Sequence, residues 1–323
     1  MGAQDVKPLS MRRSMVGFVK ETTAGTAVTV SAMMVGTTVY NAKFRPSNFF
    51  ADGERVADGI SHGQFAKSSG MRKGTGTFST EVRHGDQTMA LLELAGYVLS
   101  TDNGPPVEVT LTPSSSFSAH STATFRNWED GGYQEIYGAV VTGARLRPLT
   151  PGGRLMWEWT IEGVWGGDGT QALPTMEDVD SPAPAMRASG ITLTLGGGAL
   201  PQVSTFELDL GLQGEDRESL TATNALEHML VGDRRPSLTL DPETRLIADY
   251  DGIGKYESGL PEALAMSFAD PTGNTFALTA AAAQRDELER TNRGNKRIDQ
   301  LRMNLCITEA GDDDLVFVRT DAP

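Results

Sequence analysis

LMWEWTIEGVW, residues 155–165, is the stretch that decides the fold. Leu155, Trp157, Trp159 and Ile161 lie on one side of an extended chain, and Met156, Glu158, Thr160 and Glu162 lie on the other. The segment reads as a half-buried strand with an acidic wet face over a hydrophobic core. Carboxylates four residues apart on such a strand are far more often solvated than catalytic.

Strand patterns recur on its N-terminal side. VGTTVYNAKFR (35–45), GTGTFSTEV (74–82), VEVTLTP (107–113), STATFRNW (121–128) and QEIYGAVVTGARLRPL (134–149) are separated by Ser/Pro and Asp-Gly-Gly turns. A helix through MALLELA, with Asp86 as its cap and Gly96 as its stop, covers one sheet face. Residues 46–73 are polar, glycine-rich and too long for a hairpin turn. They are expected to form an arm carrying Phe49, Phe50, Arg55, Arg72 and Lys73.

On the C-terminal side, GGDGTQALPTMEDVDSPAPAMRASG (166–190) has no period and reads as a linker. Beyond it, VSTFELDLGL (203–212) sets Leu208 and Leu210 against Glu207 and Asp209, again as a strand with a wet acidic face. DRESLTATNALEHMLVG (216–232) is expected to be a capped helix ending at Gly232, followed by a strand in RPSLTLDPE. ALAMSFADPTGNTFALTAAA (263–282) predicts a hairpin turned by Pro271 to Asn274. The charged AQRDELERTNRGNKR suits a short exposed helix or a second arm ending at Gly294, and IDQLRMNLCI returns as a strand. The fold expected is mainly β: two tandem β-sandwich or barrel units, residues 1–165 and 191–323, each with a covering helix and long arm loops.

Composition agrees. The 323 residues are 39% hydrophobic, enough for real cores, and 36 glycines and 16 prolines among Thr- and Val-rich segments favour short strands and turns. The net charge of −14 is uneven: residues 1–175 carry 15 basic and 16 acidic groups, and residues 176–323 carry 13 and 26. An acidic half repels a phosphate backbone, which argues against tight nucleic-acid binding. Cys306, the single cysteine, sits in the apolar LRMNLCI, so no intrachain disulfide is possible and burial as a small hydrophobe is expected. The N-terminus lacks an apolar signal core, and no run of about 18 apolar residues occurs, so neither secretion nor a membrane partner is indicated and cytosolic assembly fits.

A search for chemistry returns little. His62, His84, His120 and His228 have no zinc spacing, and DYDGIGKYE (249–257) lacks the later ligands of a calcium loop. GDDD, with Asp312, Asp313 and Asp314, reads as a solvated turn. There is no G-x-S-x-G elbow and no dinucleotide fingerprint. The glycine loop of MVGFVKETTAGTAVTV (15–30) has no Lys-Ser or Lys-Thr after its second glycine, so it is not a P-loop. Its Val28, Val30 and Ala32 alternate with Thr29 and Ser31 as in a strand. No cofactor and no metal are expected, and no enzyme.

GFVKETTAGTAVTV resembles the G-x-x-K-E-T-x-x-G-T-A opening of tail tube (major tail) proteins of long-tailed bacteriophages. GTGTFSTEVRHGD leading into a helix, and the hairpin YGAVVTGARLRPLTPGGRLMWEWTIEG (137–163), are similar to later parts of that family. The likeness covers residues 15–165 well and the second half in outline. It implies a structural subunit of the virion tail, assembled in the host cytoplasm into stacked rings around a conduit for DNA. Two tube-like units per chain would give a trimer with pseudo-sixfold symmetry, with a hexamer as the alternative. Tape-measure and tail terminator proteins are further partners that the resemblance implies. It would place Glu158, Glu162, Glu207 and Asp209 on an acidic bore, and the 46–73 arm between rings. The alternative reading is a β-sandwich surface or carbohydrate-binding module, whose hydrolytic form would need only two carboxylates on a β scaffold.

Overall fold

The structure, a computed structural model, describes residues 14–30, 39–51, 68–129, 131–148, 150, 152–172 and 184–322. In chain order the strands are β1 (Ser14–Lys20), β2 (Val39–Ala51), β3 (Ser68–Glu81), β4 (Tyr97–Asp102), β5 (Glu108–Pro113), β6 (Ala123–Glu129), β7 (Gly132–Pro148), β8 (Leu155–Thr170) and β9 (Thr192–Leu195). They continue with β10 (Gly198–Ala199), β11 (Phe206–Asp209), β12 (Leu212–Glu218), β13 (Leu226–Arg234), β14 (Ser237–Leu240), β15 (Glu262–Ala269), β16 (Thr275–Arg293), β17 (Lys296–Cys306) and β18 (Val316–Thr320). The helices are α1 (Asp86–Glu93) and α2 (Gly252–Ser258). The protein is mainly β, as its alternating segments predict.

The backbone of the fold is a wall of eight strands in the order β2-β3-β8-β7-β11-β14-β17-β16. Every neighbouring pair in it is antiparallel. The wall runs without a break from the first half of the chain into the second, through the pairing of Leu208 and Asp209 with Leu146 and Arg145. Its dry face carries Leu155, Trp157, Trp159 and Ile161, all essentially buried. Trp157 stacks on Trp159 at 4.8 Å and meets Phe317 of β18 edge-on at 6.0 Å, while Phe78 of β3 packs 6.2 Å from Phe125 of β6.

A second layer thus covers the dry face. It consists of β1 and β6 at one end, and of β4, β5, β18, β15, β9 and the first part of β16 at the other. The final strand β18 pairs with β5 from the first half, and Arg319 donates to Asp86 in the first turn of α1 at 2.6 Å. β7 serves both layers: residues 132–139 pair with β6, and Arg145 and Leu146 pair with β11. Register shifts between Tyr137 and Val140 and between Val141 and Gly143 separate the two roles.

Several expectations are corrected. Residues 216–232 are no helix but the hairpin of β12 and β13, which buries Leu226, Met229 and Val231. The charges that imitate a helix start reach other elements: Asp216 binds Lys73 and Arg217 pairs with Glu227. The second half therefore lacks the counterpart of α1; its helix α2 lies elsewhere, capped by Asp251 and Gly259. The charged run before Gly294 is the distal half of β16, turned into β17 at Gly294 with φ of 59°, so it is an arm-like hairpin and no helix.

Residues 166–170, assigned to the linker by composition, continue β8 and pair with β7; residues 173–183 lie outside the described residues. The 46–73 connection is strand at both ends, paired as far as Ala51 with Ser68. Gly85, and not Asp86, is the N-cap of α1. Residues 26–30 are irregular and not strand, Ala32 lies outside the described residues, and Cys306 is half-buried. Finally, Asp312, Asp313 and Asp314 form no solvated turn: Asp312 accepts from the Ser115 N–H, Asp313 from the Thr308 N–H, and the buried Asp314 from Arg234 Nε at 2.9 Å.

Trp157 joins the wall to the second layer, so Trp157→Ala removes a buried aromatic contact between them. We expect a loss of about 3–5 kcal/mol in unfolding free energy, read as a lower urea midpoint; an unchanged midpoint would show that the two layers do not depend on this contact.

Candidate functional site

The opposite, wet face of the wall is the first candidate surface. Register places Asp209, Arg145, Glu158 and Ser79 in one row across β11, β7, β8 and β3. A second row runs Glu207, Thr239, Arg302 and Glu287 across β11, β14, β17 and β16. A third links Glu162 to Thr75 and Arg45 across β8, β3 and β2. The structure therefore brings all four sequence-predicted carboxylates onto the same face of the wall.

Three of the four are not bare. Asp209 accepts from Arg145 Nε at 2.8 Å, Glu158 from Arg147 Nε at 3.1 Å, and Glu162 meets Lys73 Nζ at 2.9 Å. Lys73 also reaches Asp216 at 2.8 Å. Burial disfavours its charge, but the hydrogen bonds to Asp216 and Glu162 outweigh that and hold the ammonium above its ordinary value. Three cations of the face, Arg145, Arg147 and Lys73, are thus held by these carboxylates, while Lys43, Arg45 and Arg302 have no ion pair among the described residues. Lys73 was expected as an arm residue, and the other cations escaped the sequence reading, although KFR (43–45) and RLR (145–147) show their signal, a charge on either side of one apolar residue.

Of the expected arm residues, Phe49 and Phe50 belong to β2 by backbone, and Phe50 pairs with Ser69. Arg72 is exposed in β3 and its N–H donates to the Asn224 carbonyl at 3.3 Å. Arg55 lies outside the described residues.

The glycine-rich motif has a structural task. The Glu21 carboxylate accepts from the Gly25 N–H at 2.9 Å, the Gly138 N–H at 2.7 Å, and the hydroxyls of Thr122 and Thr124 at 2.6 and 2.8 Å. Lys20 pairs with Glu93 of α1. Gly25 has φ of 75°, and a Cβ there would lie 2.4 Å from the Glu227 carbonyl oxygen. K-E-T-x-x-G thus latches β1 to β6, to the bulge of β7 and to β13. Among the described residues no group of three or more His, Cys, Asp or Glu is placed to hold a metal, and no helix is long and apolar enough to cross a membrane.

The sheet is dry on one face and carries the charged rows on the other, and among the described residues no strand pairs with the outer edge of β2. Residues 11–299 match the sequence profile of the phage tail tube protein family, and the chain belongs to that family. It is a structural subunit of a bacteriophage tail tube, and associates with copies of itself in the virion tail. No curated protein matches the chain.

Two predictions follow from these anchors. Glu21→Gln leaves amide hydrogens facing N–H donors, and we expect a loss of about 1–3 kcal/mol in urea unfolding; a stability equal to the parent would mean the latch is dispensable. At the end of the wall, burial opposes the ionisation of Glu81, but hydrogen bonds from Arg83, Tyr40 and Arg154 hold its carboxyl below its ordinary 4.5. Burial likewise opposes Glu262, and Lys255 and Arg285 lower it. A carboxylate depressed by folding contributes fully above its unfolded value and loses that contribution as pH falls through the folded value. The urea midpoint should therefore hold between pH 7 and about 5 and drop below about 4.5, less steeply in Glu81→Gln.

Proposed function

We propose that the chain forms rings that stack into a tube, with the polar face of the eight-strand wall turned toward the lumen through which DNA passes. The observation that carries this is the face that holds all four carboxylates, on β8 and β11, backed by a hydrophobic core. In this reading Glu158, Glu162, Glu207 and Asp209 line the conduit, and the 46–73 segment, with Phe49, Phe50, Arg55, Arg72 and Lys73, reaches toward the next ring.

Size favours three chains. Three walls supply about 24 strands, which at about 4.8 Å spacing and about 40° tilt close at a diameter of about 50 Å between backbones, whereas six chains give about 100 Å. The smaller bore fits one duplex. This agrees with a chain holding two tube-like units, 1–165 and 191–323, in a trimer of pseudo-sixfold symmetry. A tape-measure protein within the lumen and a terminator at the tube end are the partners such an assembly calls for.

Passage without adhesion is favoured by ion pairing: Arg145, Arg147 and Lys73, each held by a carboxylate, offer little free charge to a phosphate, so few counterions are released from DNA at these positions. Two measurements test the reading. Negative-stain averages of the purified chain should show rings or tubes with threefold repeats; a chain that stays small at high concentration sinks it. In particles built with E158Q/E162Q/D209N, the freed Arg145 and Arg147 should slow DNA ejection, most at low salt. Ejection at the parental rate from normally assembled tubes would place these residues away from the lumen.

A further inference from the structure

The wall has two open edges, and they differ in sign. β2 is the terminal strand on one side, with no strand on its outer edge among the described residues. On the other side, β16 pairs with β15 only as far as Ala283, so its segment from Gln284 to Arg293 carries β17 on one edge and no strand on the other. Lys43 and Arg45 of β2 are exposed and have no ion pair among the described residues; the same is true of Glu287 and Glu289 of β16. An even number of antiparallel strands gives edges that run in opposite directions. Two copies in the same orientation can therefore join edge to edge with the antiparallel pattern kept.

Resting on the tube reading above, we propose that β2 of one chain adds to the outer edge of β16 on a second copy, with Lys43 opposite Glu289 and Arg45 opposite Glu287. The register is chosen by both faces. Each charged pair is two residues apart on its own strand, so antiparallel pairing brings both into contact at once. The same register sets Phe44, buried on the dry face of β2, opposite Leu288, which packs against the core beneath β16. Wet residues meet wet, and dry meet dry.

The end of the ladder is marked on both strands. Pro46 has no N–H to donate, and the residue it would face, Asp286, lies in the register shift between Arg285 and Glu287. Beyond it Arg285 is already committed, donating to Glu262 at 2.8 Å and to the Tyr250 hydroxyl at 3.0 Å beneath α2. The contact is heterologous, one edge against the other, so every chain both gives and receives, and a ring can close.

The test reverses one edge at a time on the full chain. K43E/R45E makes both edges acidic, and E287K/E289K makes both basic. Each should assemble about ten-fold less than the parent in sedimentation and negative stain, while far-UV circular dichroism stays unchanged. The fourfold variant K43E/R45E/E287K/E289K restores opposite signs and should assemble again. Parental assembly by either single-edge variant, or no recovery in the fourfold variant, overturns the pairing. A disulfide ladder from R45C/E287C in a C306S background supports it, and monomer alone in assembled samples of that variant overturns it. Failure of the parent itself to form rings would count against the tube reading, whereas parental rings with indifferent edge variants count only against this interface.

Discussion

The structure depends on one register, that of β7 against β8. Because side chains alternate along a strand, a slip of one residue would carry Trp157 and Trp159 into water and Glu158 and Glu162 into the core. The register is held where β7 changes partners. There the Glu21 carboxylate takes the Gly138 N–H, and the Val141 N–H donates to the Leu94 carbonyl at 3.0 Å. Small residues let the layers close over it: a Cβ on Gly163 would lie 2.7 Å from both Ile136 and the Tyr137 carbonyl. One motif in the opening of the chain, one bulge and one helix end thus fix the alternation that runs across eight strands.

The ion pairs on the wet face play a different part from the tryptophans on the dry one. Arg145–Asp209 and Arg147–Glu158 are half exposed, and pairs of that kind contribute only about 0–1 kcal/mol to folding. Their effect is on potential and not on stability. A wall of unpaired carboxylates would repel DNA but also repel its own neighbours, since every charge is repeated in each copy of the ring. Pairing Arg145, Arg147 and Lys73 with acids would remove adhesive sites while keeping that repulsion small.

How much was legible in the sequence varies with the range of the interaction. The strand at 155–165, the hairpin turned at Pro271 to Asn274 and the helix at MALLELA were readable because period two and period 3.6 are local. The hairpin at 212–234 was not, because Asp216, Arg217 and Glu218 followed by Ser219 imitate a helix start. The partner of Asp216, Lys73, lies far off in the chain. GDDD failed for the same reason: the groups that bury Asp314 and hold Asp312 come from Arg234 and Ser115. The candidate face was half readable. Alternation placed the carboxylates on the wet side, but only the register of β7 with β11 shows that Asp209 and Glu158 share one arginine-lined row.

Open sheet edges are normally a hazard, because any strand can add to them, including the same edge of another copy. In the pairing of β2 with β16 that hazard is limited by sign. Two β2 edges set against each other bring Lys43 and Arg45 against their own kind, and two β16 edges do the same with Glu287 and Glu289. Like-with-like contact, which would end growth as a twofold dimer, is therefore disfavoured, and unlike contact is favoured. A heterologous contact leaves a free edge of each kind at the ends of every short oligomer. Growth then stops only when the curvature of the wall brings the last edge back to the first. The same two pairs of charges would thus choose the partner, set the direction of joining and leave closure to the twist of the sheet.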